Sequence, residues 1–385
     1  MKKICIVVGS RANYSSIKSV MKAVQNHSHL DLQVVVGASA IIDRYGRVVD
    51  HIKSDGFFIN EEVYMIVEGE NPLTMAQSTG MGLMALPPVF NRLRPDVVVT
   101  VGDRYETMAT TLAAAYMNIP VAHTMGGEVS GTIDESIRHA VTKFAHIHFP
   151  ASKDAANRII KLGELPRMVF NVGCPRMDLV KEIIENKPSI KPHELFKEGV
   201  GSIDIDLEEE FLLVSQHPVT TEFGKGEKQI TGTLEACKST GLPTIVLWPN
   251  SDAGSEDISR GIRKWREQGL GENMHIFKNL PIDVYVRLMQ KCACLIGNSS
   301  SGIREGAFLG TPVVNIGSRQ EMRERGNNVI DVDYNAESIE EALKKQLKFG
   351  AYGHQPIYGD GTAGEKIAHI LHEIGHVEVQ KRINY

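Results

Sequence analysis

One run of β-branched residues constrains the fold more than any other feature of the sequence. Residues 96–102 contain the sequence VVVTVG, which is apolar at nearly every position. A strand of this kind is typical of a parallel sheet that is buried on both faces. Short apolar runs like it alternate with amphipathic segments, and this alternation predicts an α/β fold with doubly wound sheets.

The alternation falls into two blocks, and 385 residues also favour two domains over one. In the first block we predict strands at residues 4–9, 32–37, 96–102, 120–123, 147–149 and 169–172, and helices at 15–24, 105–117 and 136–145. In the second block we predict strands at residues 211–215, 244–248, 275–277, 294–297 and 312–316.

The segment between the blocks, residues 185–209, is rich in Lys, Pro, Glu and Asp and lacks periodicity, which indicates an interdomain connection. We therefore predict an N-terminal Rossmann-like domain at residues 1–185 and a C-terminal Rossmann-like domain at residues 186–362. The last segment, residues 363–385, begins with a predicted helix at 363–373 that could pack on either domain.

The composition excludes several classes of protein. A net charge of -5 argues against binding to nucleic acid or to a membrane surface, because both ligands require a basic excess. The five cysteines form no CxxC pair, so we expect small buried thiols in a reducing compartment. The apolar run ICIVVG is too short for a signal peptide, and no run approaches the ~20 residues of a membrane span. We therefore expect a cytoplasmic protein.

Polar residues follow the first and third of these strands, at the sheet edge where ligands of open parallel sheets bind. Arg11 and Ser15 lie in the sequence GSRANYS. They could contact a phosphate or a sugar, or the segment could be a plain turn in which Ser15 caps a helix. Asp103 and Arg104 follow VVVTVG. They could form an edge ion pair, but we favour a site acid beside a phosphate-binding arginine.

Two further carboxylates follow the next strand, in the sequence HTMGGEVSGTIDE. Glu128 comes after a Gly-Gly turn, and Asp134 could instead cap the helix that carries Arg138. Asp103, Glu128 and Asp134 are thus expected near one sheet edge. Such a cluster can raise the pKa of one member and make it a base for a weakly acidic C–H proton.

The second block supplies a histidine and a serine-rich loop. His217 follows a strand in SQHP and could be a core histidine, a general acid or a phosphate contact. Asn250 ends the next strand. Ser299 and Ser300 lie in GNSSSGIRE, where hydroxyl groups and backbone amides suit a pyrophosphate.

Two more residues of this block are candidate ligand contacts. Glu305 could accept ribose hydroxyls, and Arg319 could add a positive contact. The sequence contains no GxxxxGK[ST], HExxH, zinc-type cysteine spacing or GxSxG. A P-loop, a metal mechanism and a serine-hydrolase mechanism therefore have no support.

Seven motifs in order resemble the UDP-N-acetylglucosamine 2-epimerase family, and specifically its hydrolysing branch in sialic acid biosynthesis. They are GSRANYS, VGDRYET, GGEVSGTIDESIRHA, VGCPRMD, SQHPVTTE, LWPNSDAGS and GNSSSGIREGAFLGTPVVNIGSRQ, which together extend from residue 9 to residue 320. GGEVSGTIDESIRHA and GNSSSGIRE are specific, and the segment GGEVSGTIDES favours the hydrolysing branch.

The resemblance implies a GT-B-like fold, in which two Rossmann-like domains enclose an active-site cleft and the C-terminal helix returns to the first domain. It implies a homodimer or homotetramer that needs no metal and no redox cofactor. The implied reaction converts UDP-N-acetylglucosamine to N-acetylmannosamine and UDP. A base removes the C2 proton, UDP leaves C1 to give 2-acetamidoglucal, water adds at C1, and a proton returns to the opposite face of C2.

The resemblance also implies residue roles. Asp103, Glu128 and Asp134 match the catalytic acids, and His217 matches a histidine that faces the diphosphate. The implied nucleotide-sugar contacts are Arg11, Ser15, Arg104, Asn250, Ser299, Ser300, Glu305 and Arg319.

Three alternatives share parts of this pattern. A hydrolysing 2-epimerase for UDP- or GDP-N,N'-diacetylbacillosamine, on the legionaminic acid route, would share every motif. A GT-B glycosyltransferase would use the same nucleotide contacts but would need an acceptor. A nucleotide-sugar sensor is least favoured, because three acids around the sugar oppose simple binding of an anionic ligand.

Overall fold

The computed structural model describes residues 1–69, 72–130, 133–186, 195–197, 199–201, 205–219, 222–249, 254–278 and 280–384. The chain divides into two compact units. Unit 1 comprises Met1–Leu179 and Tyr358–Tyr385, and unit 2 comprises Val180–Ile357.

Unit 1 contains a parallel sheet with helices on both faces. Its strands are β1 (Lys2–Val8), β2 (Leu30–Gly37), β3 (Glu61–Val63), β4 (Val97–Val101), β5 (Val121–Thr124) and β6 (Ile147–Phe149). Its helices are α1 (Arg11–Ser15), α2 (Lys18–Asn26), α3 (Val48–Ser54), α4 (Pro72–Leu93), α5 (Tyr105–Tyr116), α6 (Ile133–Phe144), α7 (Lys153–Lys161), α8 (Pro175–Asn186), which runs past the unit boundary, and α15 (Ala363–Glu373). The strand order is β3-β2-β1-β4-β5-β6.

The pleat of β1 explains why its sequence is apolar throughout. Ile4 and Ile6 point into a core shared with α2 and α15, whereas Cys5 and Val7 point into a second core that contains residues of α4 and α5. Every residue of β4 is buried as well. The sequences of the central strands are therefore continuous apolar runs, as expected for a sheet covered on both faces.

Unit 2 repeats this architecture. Its strands are β7 (Val200–Gly201), β8 (Leu212–Ser215), β9 (Thr244–Leu247), β10 (Met274–Phe277), β11 (Cys294–Gly297), β12 (Val313–Ile316) and β13 (Val329–Val332). Its helices are α9 (Gly226–Ser239), α10 (Ser255–Glu267), α11 (Ile282–Lys291), α12 (Ser300–Ile303), α13 (Glu305–Leu309) and α14 (Ala336–Phe349). The order is β13-β12-β11-β8-β9-β10-β7, parallel except for β7 against β10.

One predicted element of unit 1 is wrong, and another begins at a different residue. The strand at 169–172 is absent apart from an isolated bridge between Val169 and His148. The helix predicted at 15–24 is present as α2, but it begins at Lys18, and Ser15 instead ends the separate short helix α1. Ser10 starts α1 early by accepting a hydrogen bond from the Asn13 nitrogen at 3.2 Å.

The predicted connection at residues 185–209 is more structured than its composition indicates. Within its described part, β7 adds an antiparallel edge strand to the sheet of unit 2. Phe196, Ile205 and Leu207 are buried in a core cluster of that unit. A few apolar side chains thus anchor a segment that is otherwise polar.

The predicted helix at 363–373 is present as α15. Its Ile367 and Leu371 are buried in the core of unit 1 beside α2. Near the chain end, the Lys381 ammonium donates to backbone oxygens at the carboxyl end of α6 and lies 2.6 Å from Glu164. Throughout the described residues, helices that combine the length and apolarity of a membrane span are absent.

Candidate active site

Both sheets have the Rossmann strand order, in which the winding reverses between two central strands. These strands are β1 and β4 in unit 1, and β8 and β11 in unit 2. Ligands of such sheets bind outside the carboxyl ends of the strands at the reversal point. The loops after these strands, together with the loop after β5, therefore form the candidate functional segments of each unit.

Arg138, on α6, joins two of the unit 1 loops. Its guanidinium forms an ion pair with Asp103 and donates to the backbone oxygen of Glu128 at 2.7 Å and to Ser130 Oγ at 3.3 Å. Arg138 is only 3% exposed. Because a buried charge is stable only with partners, this network fixes the loop after β4 against the loop after β5.

The loop that carries Glu128 is held in a demanding backbone conformation. Met125 has a φ of 61° and Gly127 a φ of 78°. A Cβ at Gly127 would lie 2.3 Å from the carbonyl oxygen of Ala155, so only glycine fits there. Arg158 donates to the Gly127 oxygen at 2.5 Å, and Glu128 is 5% exposed. The Glu128 side chain is therefore placed by a rigid turn.

A fourth acid, Glu106, lies beside the predicted acids. It is buried, and its Oε1 accepts a hydrogen bond from Arg104 Nε at 2.9 Å. Burial raises the pKa of Glu106, the Arg104 guanidinium opposes this rise, and the charge of Asp134 adds to it. Glu106 and, more weakly, Asp134 in turn raise the pKa of Arg104. Arg104, Glu106 and Asp134 therefore form one electrostatic group.

The buried imidazole of His123 contacts three segments that carry these residues. Its Nε2 lies 2.7 Å from the oxygen of Gly102, which precedes Asp103, and its Nδ1 lies 3.3 Å from Thr142 Oγ1 on α6. A Cβ at Gly126 would lie 2.8 Å from Nδ1. Burial lowers the pKa of His123 to about 3, so the ring is neutral and Nε2–H donates to the Gly102 oxygen.

The loop after β1 places Arg11 and Ser15 in different environments. Arg11 is the exposed first residue of α1. Ser15 is its half-buried last residue, and its Oγ accepts a hydrogen bond from Arg176 at 3.1 Å. The alternative in which Ser15 caps a helix is wrong, because Ser10 caps α1 and Ile17 precedes α2.

In unit 2, Asn298 connects the loop after β8 to the loop after β11. Its Oδ1 accepts from the His217 nitrogen at 2.7 Å, and its Nδ2 donates to the His217 oxygen at 2.8 Å. Its backbone oxygen accepts from Arg319 Nη1 at 3.2 Å and from Gln320 Nε2 at 2.9 Å. Three loops therefore converge on Asn298, which is 1% exposed.

His217 itself is held neutral. Burial and the nearby Arg319 guanidinium lower the pKa of His217 to about 3. A neutral imidazole offers one N–H donor and one acceptor nitrogen. The interpretation of His217 as a general acid in the ligand-free protein is therefore not favoured, whereas a hydrogen bond to an anionic ligand is.

Residues 297–301, which we call the serine loop, follow β11. Gly297 has a φ of 130°, and a Cβ there would lie 2.3 Å from the Ser215 oxygen. Ser299 accepts a hydrogen bond from the Ser301 nitrogen at 3.4 Å and caps α12, which has only four residues. Glu305 begins α13 and is buried.

The structure thus brings Asp103, Arg104, Glu128 and Asp134 into one region of unit 1, and His217, Arg319 and the serine loop into one region of unit 2. Asn250 lies outside the described residues. The predictions did not include four residues of these networks, namely Glu106, His123, Arg138 and Asn298. Each lies within a motif or next to a candidate residue, but only three-dimensional contacts show its role.

The unit 1 region combines carboxylates with the buried guanidinium of Arg138 and the more exposed guanidinium of Arg104, which suits proton transfer at carbon beside a negatively charged substrate. The unit 2 region combines a neutral histidine, an arginine and serine hydroxyls, which suits a phosphate ester. Among the residues that the structure describes, no group of three or more His, Cys, Asp or Glu side chains is arranged to hold a metal ion.

A family model described as UDP-N-acetylglucosamine 2-epimerase matches residues 22–372. The chain belongs to the UDP-N-acetylglucosamine 2-epimerase family. The resemblance seen in the sequence motifs is therefore confirmed, and the chain is a nucleotide-sugar 2-epimerase.

Two relatives match along the whole chain. One, from Legionella pneumophila, is named UDP-N,N'-diacetylbacillosamine 2-epimerase (hydrolyzing); it is 34% identical, and the match covers 100% of this chain and 99% of the relative. The other, a UDP-N-acetylglucosamine 2-epimerase from Neisseria meningitidis, is 28% identical over 99% of this chain and 98% of its own length.

A crystal structure of UDP-GlcNAc 2-epimerase from Neisseria meningitidis, bound to UDP-GlcNAc, is similar in fold. The TM-score is 0.79 at 19% sequence identity, and the match covers 96% of this chain and 99% of that chain. The predicted fold class, α/β with two Rossmann-like domains of the GT-B-like type, is confirmed.

Proposed function

We propose that this 2-epimerase is hydrolysing and that its substrate is UDP-N,N'-diacetylbacillosamine. The observation that carries the proposal is the 34% identity, over the whole chain, to the Legionella relative of that name. UDP-N-acetylglucosamine, the substrate expected from the sequence motifs, becomes the second candidate. It is supported by the Neisseria relative, which is 28% identical.

The proposed reaction takes up one water. A carboxylate removes the proton at C2 of the sugar, and the C1–O bond to the diphosphate breaks, which leaves a C1–C2 double bond. Water then adds its hydroxyl to C1, and a proton returns to C2 on the opposite face. The products are the free 2-epimeric sugar and UDP.

We assign the proton transfers to carboxylates of unit 1. Asp103 is engaged by Arg138, which suits it to orient the site and to balance its charge. Glu128 and Asp134 lie on separate segments, the turn after β5 and the first turn of α6. Two acids on separate segments suit removal from one face of C2 and return to the other.

We assign the nucleotide to residues that the motifs selected. In unit 2, His217 and Arg319 meet the leaving diphosphate, the serine loop donates to its oxygens, and Glu305 accepts ribose hydroxyls. The full set of proposed contacts is Arg11, Ser15, Arg104, Asn250, Ser299, Ser300, Glu305 and Arg319. We further propose that the enzyme is a homodimer or homotetramer and uses no cofactor.

The test is incubation of the purified protein in deuterated water with UDP-N,N'-diacetylbacillosamine, its GDP-linked analogue and UDP-N-acetylglucosamine in parallel. We expect release of UDP and a free 2-epimeric sugar that carries deuterium at C2, with the highest kcat/KM for the UDP-linked diacetamido sugar. A higher kcat/KM for UDP-N-acetylglucosamine would transfer the assignment to that sugar. Epimerisation without release of UDP would refute a hydrolysing enzyme.

A further inference from the structure

Tyr285, on α11, is hydrogen-bonded to the serine loop. Its hydroxyl oxygen lies 2.6 Å from Ser301 Oγ, which lies 2.8 Å from Ser299 Oγ. The hydroxyl of Ser215, the last residue of β8, also interacts with the Tyr285 hydroxyl, and so, more weakly, does the hydroxyl of Ser299. A continuous chain of hydroxyl groups therefore runs from the end of β8 through Tyr285 to Ser299. None of the roles proposed above uses Tyr285.

The donors and acceptors give this chain a direction. Burial raises the pKa of Tyr285, so its phenol keeps a proton that it can donate to Ser301 Oγ. The backbone N–H of Ser301 can only donate, and it donates to Ser299 Oγ at 3.4 Å. If Ser301 Oγ accepts from Tyr285 and donates to Ser299, the hydrogen of Ser299 remains available for a group outside the loop.

We propose that Tyr285 is a positioning residue for diphosphate binding, because it orders the Ser301 and Ser299 hydroxyls so that Ser299 donates to the ligand. The inference rests on the proposed function, since it takes the ligand of the serine loop to be the diphosphate of a nucleotide. The diphosphate oxygens of a nucleotide sugar accept hydrogen bonds but carry no hydrogen at neutral pH. If the hydroxyl hydrogen of Ser299 pointed toward Ser301 instead, Ser299 would present only lone pairs to the phosphate oxygen. Donors arranged in series also polarise one another, which strengthens the last bond of the chain.

The test is Tyr285→Phe, which removes one oxygen and leaves the ring that packs in unit 2. We expect the Kd of UDP, measured by calorimetry, to rise about 5-fold, as expected for loss of one hydrogen bond. The Kd of uridine, measured by saturation-transfer NMR, should not change, because uridine lacks the diphosphate. A general loosening of the domain would weaken both ligands, so this comparison separates positioning from folding.

Tyr352→Phe is the matched control. The Tyr352 hydroxyl donates to Gln346 Oε1 at 2.7 Å in the same unit, and it makes no hydrogen bond to the serine loop. Its loss should leave the Kd of UDP unchanged. Ser301→Ala interrupts the same chain of hydroxyl groups at its next member, so it should weaken the binding of UDP about as much as Tyr285→Phe does. The double variant should show little further loss, because both substitutions remove one pathway.

Each outcome decides between the inference and the function on which it rests. An unchanged UDP affinity in Tyr285→Phe, or additive losses in the double variant, would overturn the role of Tyr285 and leave the proposed function intact. If Tyr285→Phe weakened the binding of UDP and of uridine equally, that result would also overturn the role of Tyr285. Wild-type protein that binds no UDP would instead overturn the proposed function, and the inference with it.

Discussion

The side chain of Asn298 pairs with the backbone of His217 as a further strand residue would. Both His217 backbone groups are engaged, the N–H by Oδ1 at 2.7 Å and the carbonyl by Nδ2 at 2.8 Å. The β8–β11 ladder ends at the pair of Ser215 and Gly297, and the contact with His217 lies two residues beyond Ser215. The amide of Asn298 therefore sets the position of the His217 imidazole relative to the serine loop.

Asn298→Ala should reduce turnover by releasing His217. We expect kcat/KM to fall about 10- to 100-fold, which corresponds to the loss of two hydrogen bonds that orient a residue proposed to bind the leaving diphosphate. Steady-state kinetics on the proposed substrate would measure the effect. Asn298→Asp should be similarly impaired, because an ionised carboxylate repels the His217 oxygen.

Asn328→Ala is the control for this substitution. Asn328 is also buried, and its Nδ2 donates to the Thr311 oxygen at 2.9 Å. It should cost stability without lowering kcat/KM. Equal kinetic losses in the two alanine variants would contradict a specific role for Asn298.

Arg138→Met should harm both stability and turnover. Removing one partner of a buried ion pair leaves the charge of the other partner uncompensated. We therefore expect the free energy of unfolding to fall by about 3 kcal/mol. The loop after β4 should also lose its fixed position relative to Glu128, so kcat should fall about 100-fold. Urea unfolding and kinetics measure the two effects.

Arg260→Met provides a surface ion pair for comparison, since Arg260 pairs with Glu227 and Asp257 on exposed helix faces. Exposed pairs contribute little, so this variant should resemble the wild type. If Arg138→Met kept full turnover, the bridge between Asp103 and the Glu128 loop would have no catalytic importance.

The sequence was sufficient for features that depend on neighbours along the chain. The β-branched run before Asp103 predicted a strand buried on both faces, and β4 is such a strand. Asp103 and His217 could be selected because polar residues at the ends of buried strands have few structural uses. Short edge strands such as β3 and β13 were missed, because three or four partly polar residues give no clear alternation.

Features that depend on distant pairs could not be predicted. Arg138 and Asp103 are 35 residues apart, and the sequence of α6 alone assigns Arg138 only to a helix. His217 and Asn298 are 81 residues apart. The prediction of three converging acids likewise omitted Glu106, whose burial under the loop after β1 arises from the close approach of Gly9.

Glu128→Gln should abolish proton transfer while preserving nucleotide binding. The substitution keeps the shape of the side chain and removes its basicity, so we expect kcat to fall about 10²- to 10⁴-fold with an unchanged Kd for UDP. Exchange of the C2 hydrogen with deuterated water should fall in parallel. Glu61→Gln, at a surface pair with Arg92, is the control and should be silent. Retained exchange in Glu128→Gln would assign the base to another acid, with Asp134 the next to test.

His123 should make the enzyme sensitive to acid. Its pKa is lowered to about 3 in the folded protein by burial, whereas an unfolded chain has an ordinary histidine pKa of about 6.5. Above pH ~6.5 both states are neutral, so His123 adds no pH dependence. As the pH falls below that value, the unfolded state binds a proton that the folded state does not. Stability is therefore lost with falling pH, by about 1.4 kcal/mol per pH unit, down to the folded pKa.

His123→Gln removes this titration and retains an N–H donor for the Gly102 oxygen. We expect the loss of unfolding free energy between about pH 7 and about pH 5.5 to be smaller than in the wild type by about 1 kcal/mol, measured by urea titration at each pH. The comparison uses the change with pH, so a uniform destabilisation by the substitution does not affect it. An unchanged slope in His123→Gln would mean that His123 takes up its proton at the same pH in the folded and unfolded states, which would contradict a pKa lowered by burial.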